Sequence, residues 1–176
     1  MWFLILMAGF LSQAQSPLEG NWARPCQSGL IQIQSFKGPK STAIDHFYKD
    51  AACRLPMMSF VNYGAYSLGS ETIDFIFENV AVVLYSENMV ADYNRRAVCG
   101  IMTWKVGYAK LVTGRRCAFF QPTKLVLVPR PGEGRYGIWN RESDRLYFGI
   151  LDMETPGTSP DKRPIDWDLR PYFKQP

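Results

Sequence analysis

Met57-Met58-Ser59-Phe60-Val61-Asn62-Tyr63-Gly64-Ala65-Tyr66-Ser67-Leu68-Gly69-Ser70-Glu71-Thr72-Ile73-Asp74-Phe75-Ile76-Phe77-Glu78-Asn79-Val80-Ala81-Val82-Val83-Leu84-Tyr85 is the stretch on which the fold turns. Two long aromatic-rich runs, Met57 to Leu68 and Glu71 to Tyr85, meet at Gly69-Ser70, a tight-turn sequence. In the second run Ile73, Phe75 and Phe77 share one face, opposite Asp74, Ile76 and Glu78. That period of two belongs to a strand and not to a helix, so the stretch is expected to form a β-hairpin.

The same pattern extends outward. On the N-terminal side Leu30 to Phe36 alternates Ile31 and Ile33 with Gln32 and Gln34. After the turn Gly38-Pro39-Lys40, Ser41 to Tyr48 continues in register, which makes a further hairpin. On the C-terminal side Glu87 to Val98 carries Met89, Val90, Tyr93 and Ala97 with no Gly or Pro. It reads as a short helix, with Asp92 towards its front and Arg95-Arg96 at its end in agreement with the helix dipole. Three more strands are expected at Thr123 to Val128, Tyr136 to Asn140 and Arg145 to Leu151. The proline-rich tail from Thr155 to Pro176 reads as an extended strap with Trp167 and Phe173 against the body. Seven to nine short strands joined by short turns favour an all-β, closed antiparallel barrel of about eight strands, because closure removes exposed strand edges.

Met1 to Leu11 is apolar and uncharged, and Ser12-Gln13-Ala14 supplies a small-x-small cleavage pattern, so residues 1–14 are expected to be a signal peptide. It is shorter than the ~20 apolar residues that span a bilayer. The remainder, 15–176, is of a size for one domain. Export makes the four cysteines a disulfide framework with three possible connectivities. The expected pairs are Cys26 with Cys53 and Cys99 with Cys117. A metal site is not expected, because no C-x-x-C or H-x-x-x-H spacing occurs and His46 is the single histidine.

Several of these residues stand in a recognisable order. Gly20-Asn21-Trp22 resembles the G-x-W that opens lipocalin and other calycin barrels. Trp22 followed by Cys26, then Tyr48-x-Asp50-x-x-Cys53, Cys99-Gly100 with Trp104, Gly114-Arg115-Arg116-Cys117, Leu146-Tyr147-Phe148-Gly149 and Arg163-Pro164 form a longer series. That series resembles a group of small exported bacterial lipocalin-like proteins, and less closely the ectodomain of the animal Wnt inhibitor named for adenomatosis polyposis coli down-regulation. The likeness spans Gly20 to about Pro164. It implies a lipocalin-like barrel in which Trp22 closes one end, and for the animal relative a cavity that accepts an acyl chain.

The aromatic strand positions Phe60, Tyr63, Tyr66, Phe75, Phe77, Tyr147 and Phe148 are therefore candidates to line a ligand cavity, whose walls are mostly apolar. Charge supplies the polar half. Between Tyr93 and Gly132 stand Arg95, Arg96, Lys105, Lys110, Arg115, Arg116, Lys124 and Arg130 without one Asp or Glu, although the whole chain is only +4. Such a one-sign stretch attracts anions, so Arg95, Arg96, Arg115 and Arg116 are expected to meet the head of an anionic amphiphile at the cavity mouth.

Catalysis is not expected. Asp45-His46 lacks a nucleophile in sequence, and Asp74 and Glu78 would lie about 13 Å apart along a strand, beyond the usual paired-carboxylate geometry. The expected protein is an exported monomer, periplasmic or extracellular, that binds a fatty acid or lipid without a cofactor. A membrane or cell-envelope surface is a possible partner and nucleic acid is not. The alternative is a protein-binding module, such as an inhibitor of a secreted or cell-wall enzyme, that works through loops on a rigid barrel.

Overall fold

Alternation and short turns produce a meander at the N-terminal side. In the computed structural model, which describes residues 16–176, β1 (Gly20–Ala23), β2 (Leu30–Lys37), β3 (Lys40–Tyr48), β4 (Pro56–Leu68) and β5 (Thr72–Leu84) each pair antiparallel with the next. The expected leader, residues 1–14, lies outside the described residues. The chain then continues through α1 (Glu87–Arg95), three two-residue strands, β6 (Lys110–Leu111), β7 (Arg116–Cys117) and β8 (Val126–Leu127), and the longer β9 (Gly134–Glu142), β10 (Arg145–Phe148) and β11 (Tyr172–Lys174). The first half of β5 pairs with β9, β9 with β10, β10 with β11, and β11 with β1. The antiparallel sheet thereby closes into a ring of eight strands, with β6 attached to the second half of β5.

The segment between β5 and β9 is an insertion in this ring. The run Thr123 to Val128 does not supply a ring strand: Val126 and Leu127 pair only with Cys117 and Arg116 in a separate two-stranded ribbon. The expected helix is also shorter, ending at Arg95. Ala97 takes a left-handed conformation (φ 48°) and leads into a 3-10 turn over Val98–Gly100. At the tail, the expected strap finishes as a strand, and β11 is the element that closes the ring. Tyr172 is the buried aromatic there, whereas Trp167 and Phe173 remain partly exposed.

Two apolar clusters fill the ring from opposite ends. At one end Trp22, Leu18, Phe36, Ile73, Leu146 and Tyr172 pack together. At the other, Met58, Val80, Val82 and Leu84 of the ring meet Tyr93, Trp104, Val112 and Phe119 of the insertion. The insertion is thus the cap of that end. Phe119 stands edge-on to Phe60 with centroids 4.7 Å apart, and Phe120 packs 5.6 Å from Phe47. The disulfides tie down the same region: Cys26–Cys53 links the β1–β2 connection to the β3–β4 turn, and Cys99–Cys117 joins the 3-10 turn to β7.

The long β4–β5 pair carries a bulge between Tyr63 and Gly64, which bends the wall. A Cβ on Gly64 would sit 2.2 Å from the Ile76 carbonyl oxygen, a backbone atom that cannot swing aside. Gly64→Ala is therefore expected to destabilise the fold by about 1–3 kcal/mol, the range for forced overpacking. Urea denaturation measures it, and a loss below about 0.5 kcal/mol would show that the strand shifts freely.

Candidate ligand-binding cavity

Small residues in mid-wall leave space between the two cores. The strand register places Ala43 opposite both Gln34 and Asn62, and Ser41 opposite both Phe36 and Gly64, so the small residues Ser41, Ala43 and Gly64 lie together on β3 and β4. Behind them lies a cavity of about 460 Å³, within the usual size of small-molecule sites. Its apolar lining comes from Ile73, Phe75 and Phe77 on β5 and Phe148 on β10, with Tyr172 of β11 beside them. Ile150 and Leu151, which follow β10, complete that side.

The opposite wall is polar and highly ordered. The Arg24 guanidinium pairs with Asp168 at 2.9 Å and donates to Gln32 Oε1 at 3.0 Å, while Gln32 Nε2 donates to Asp45 Oδ1 at 2.8 Å. Arg24 also lies 4.2 Å from the centre of the Tyr172 ring. Arg170 Nε and Nη2 donate to the two Asp168 carboxylate oxygens at 2.8 and 2.7 Å. The lining holds Arg24, Arg135 and Arg170 against the single acid Asp168, which leaves an excess of positive charge. Two buried atoms in this wall have no hydrogen-bond partner among the described residues: Arg24 Nε, a donor, and Gln34 Oε1, an acceptor. Leaving such groups unpaired costs about 1–3 kcal/mol each.

Asp168 carries a testable signature. The Arg170 side-chain hydrogen bond foremost, helped by the Arg170 backbone N–H and the Arg24 charge, holds its carboxyl down to about 2 against the desolvation that opposes it. A carboxyl depressed in the folded state contributes stability that is complete above the ordinary value of 3.8 and is lost as pH falls through about 2. The thermal transition is expected to drop between those values, and Asp168→Asn to flatten that part of the profile. An unchanged slope in the variant would show that this pair does not hold the tail to the ring.

The sequence-derived candidates divide sharply. Tyr63, Phe75, Phe77 and Phe148 line the cavity. Phe60 instead belongs to the capped end with Phe119, and Tyr66 packs against Phe36 in the closed end and donates to Ser16 Oγ. Tyr147 lies on β10 outside the lining. The four arginines assigned to the mouth are not there. Arg95 and Arg96 both pair with Asp92 on the helix, Arg115 donates to the Cys99 carbonyl, and Arg116 lies on the ribbon. Arg96 and Arg116 line a separate depression of about 380 Å³ on the insertion. The cavity takes its cations from Arg24, Arg135 and Arg170, all outside the basic stretch. Arg24 and Gln34 were not anticipated, because their charge or polarity is the usual mark of an outward position.

His46 Nδ1 lies 2.6 Å from Ser59 Oγ, and Ser59 Oγ is 3.1 Å from the Tyr85 hydroxyl, to which it donates. Desolvation lowers the His46 pKa while Asp45 opposes it. Ser59 is almost fully buried and lines neither depression, so the trio reads as a satisfied polar network joining β3, β4 and the residue after β5. Among the described residues no group of three or more His, Cys, Asp or Glu side chains is placed to hold a metal ion. No helix of the described residues is long and apolar enough to cross a membrane. No protein-family model matches the chain, and no curated protein matches it.

Proposed function

We propose that this chain is an exported lipocalin-like barrel that holds one small anionic amphiphile, with a fatty acid as the simplest member of the class. The observation that carries this reading is the cavity between the two cores, apolar on the Phe75, Phe77 and Phe148 side and cationic on the Arg24 side, with Arg24 Nε and Gln34 Oε1 unpaired in its wall. An acyl chain replaces water against the aromatic side. A carboxylate accepts from Arg24, and in its protonated form, or through a hydroxyl, it also donates to Gln34. The two disulfides suit an oxidising compartment, and Trp22 closes the far end as the resemblance to lipocalin-like proteins implies.

Native mass spectrometry of protein purified from its own compartment, followed by solvent extraction, tests the reading. The expected spectrum shows an adduct of fatty-acid mass that extraction removes. A bare chain that also fails to take up added hexadecanoate overturns the proposal.

A further inference from the structure

We infer that the insertion between β5 and β9 docks the protein on an anionic lipid surface, independently of what the cavity holds. The strand β8 and the residue before it carry apolar side chains largely open to solvent: Leu125, Val126 and Leu127 are 63%, 44% and 50% exposed. Isolated exposed apolar residues are ordinary, but a contiguous run on one short ribbon marks an interaction site. The register places Leu127 directly opposite Arg116, and Leu125 shares the depression on the insertion with Arg96 and Arg116. The apolar tips therefore stand among cations.

Charge selects the occupant. From Arg95 to Arg130 the insertion carries eight cations and no acid, and Asp92, on the helix just before them, is already engaged by Arg95 and Arg96. Arg116, Lys124 and Arg130 are exposed. A bilayer rich in anionic lipid matches both features: its headgroups meet the cations, and its acyl boundary accepts apolar side chains about 5–10 Å deep. The long stems of Lys and Arg permit this arrangement, because they lie along the apolar layer while their charged ends reach the headgroups. Cations and an apolar side chain border one depression there, so a single lipid layer meets both.

Vesicle co-sedimentation of the full chain without its leader tests the inference, with phosphatidylcholine alone and phosphatidylcholine containing roughly one-third phosphatidylglycerol. The chain is expected to sediment with the anionic vesicles only, and the bound fraction to fall at least about fivefold between about 0.05 and 0.5 M salt. Arg116→Glu with Lys124→Glu should abolish binding, and Leu125→Ser with Leu127→Ser should weaken it about tenfold or more, all four being surface positions. Equal binding to both vesicles, no binding to the anionic ones at low salt, or folded variants that bind like the parent would overturn the inference. So would self-association in lipid-free solution that the Leu125→Ser, Leu127→Ser variant removes, which would make the patch an interface between copies. The lipid and salt dependence of the unaltered chain decides the matter if a variant fails to fold.

Discussion

Trp22→Ala is expected to lower the unfolding free energy by about 3–5 kcal/mol, the range for removing a fully buried large aromatic. Trp22 has no exposed surface and packs with Leu18, Phe36, Ile73, Leu146 and Tyr172. Its Nε1–H donates to the Leu18 carbonyl at 2.7 Å, so truncation also orphans a buried acceptor. Two cations cover the indole, the Arg141 guanidinium at 5.3 Å and the Lys174 ammonium at 4.9 Å from the ring centre. Because Lys174 lies on β11 and Arg141 on β9, the indole links the last strands of the ring to the first. Chemical denaturation with a preserved m-value gives the number. A loss below about 1 kcal/mol would show Trp22 to be peripheral to stability.

Reduction of both disulfides is expected to have a still larger effect. The bridges enclose sequence separations of 27 and 18 residues, which in the chain-entropy model correspond to about 3–4 kcal/mol each. Their joint loss approaches the whole stability of an ordinary domain, about 5–15 kcal/mol. The reduced chain should therefore be largely unfolded at temperatures where the oxidised chain is native. Paired serine variants separate the contributions. Cys99→Ser with Cys117→Ser releases the insertion from its own ribbon and should expose Trp104 and Phe119 first, seen as a change in tryptophan fluorescence before the ring melts. Cys26→Ser with Cys53→Ser loosens ring connections directly and should lower the main transition. Coincident denaturation curves with and without reductant would contradict this account.

The hairpins β2–β3 and β4–β5 were legible because both are long and alternate over most of their length, with one bulge in β4–β5, so pattern and turn chemistry agree. β10 was legible too, as the start of the run Arg145 to Leu151, but β1 and β11 are too short to carry such a signal, and β11 takes its place only through long-range pairing with Gly20–Ala23 and β10. Thr123 to Val128 looks like a core strand by composition, yet its apolar residues through Leu127 are exposed, and Val128 alone is buried. The site was harder still. Gln32 and Gln34 line the cavity, while the register puts Ile31 and Ile33 on the outer face of β2. The alternation was visible, but the usual apolar-inward reading gives its sense backwards. Arg24 and Asp168 lie far apart in sequence, and nothing short of the closed ring brings them together. The basic stretch was legible as a feature but belongs to the insertion, which no local pattern attaches to one end of the ring.

Calorimetric titration with hexadecanoate, below its micelle concentration, tests the cavity reading most directly when run on the parent chain and on Ala43→Trp. Ala43 lines the cavity between Gln34 and Asn62, so an indole there takes up space that the ligand would occupy. Saturable binding of one molecule per chain is expected in the parent and none in the variant, with both giving the same β-rich circular dichroism. Binding that survives in a folded Ala43→Trp, or its absence in the parent, would contradict a ligand held inside the ring.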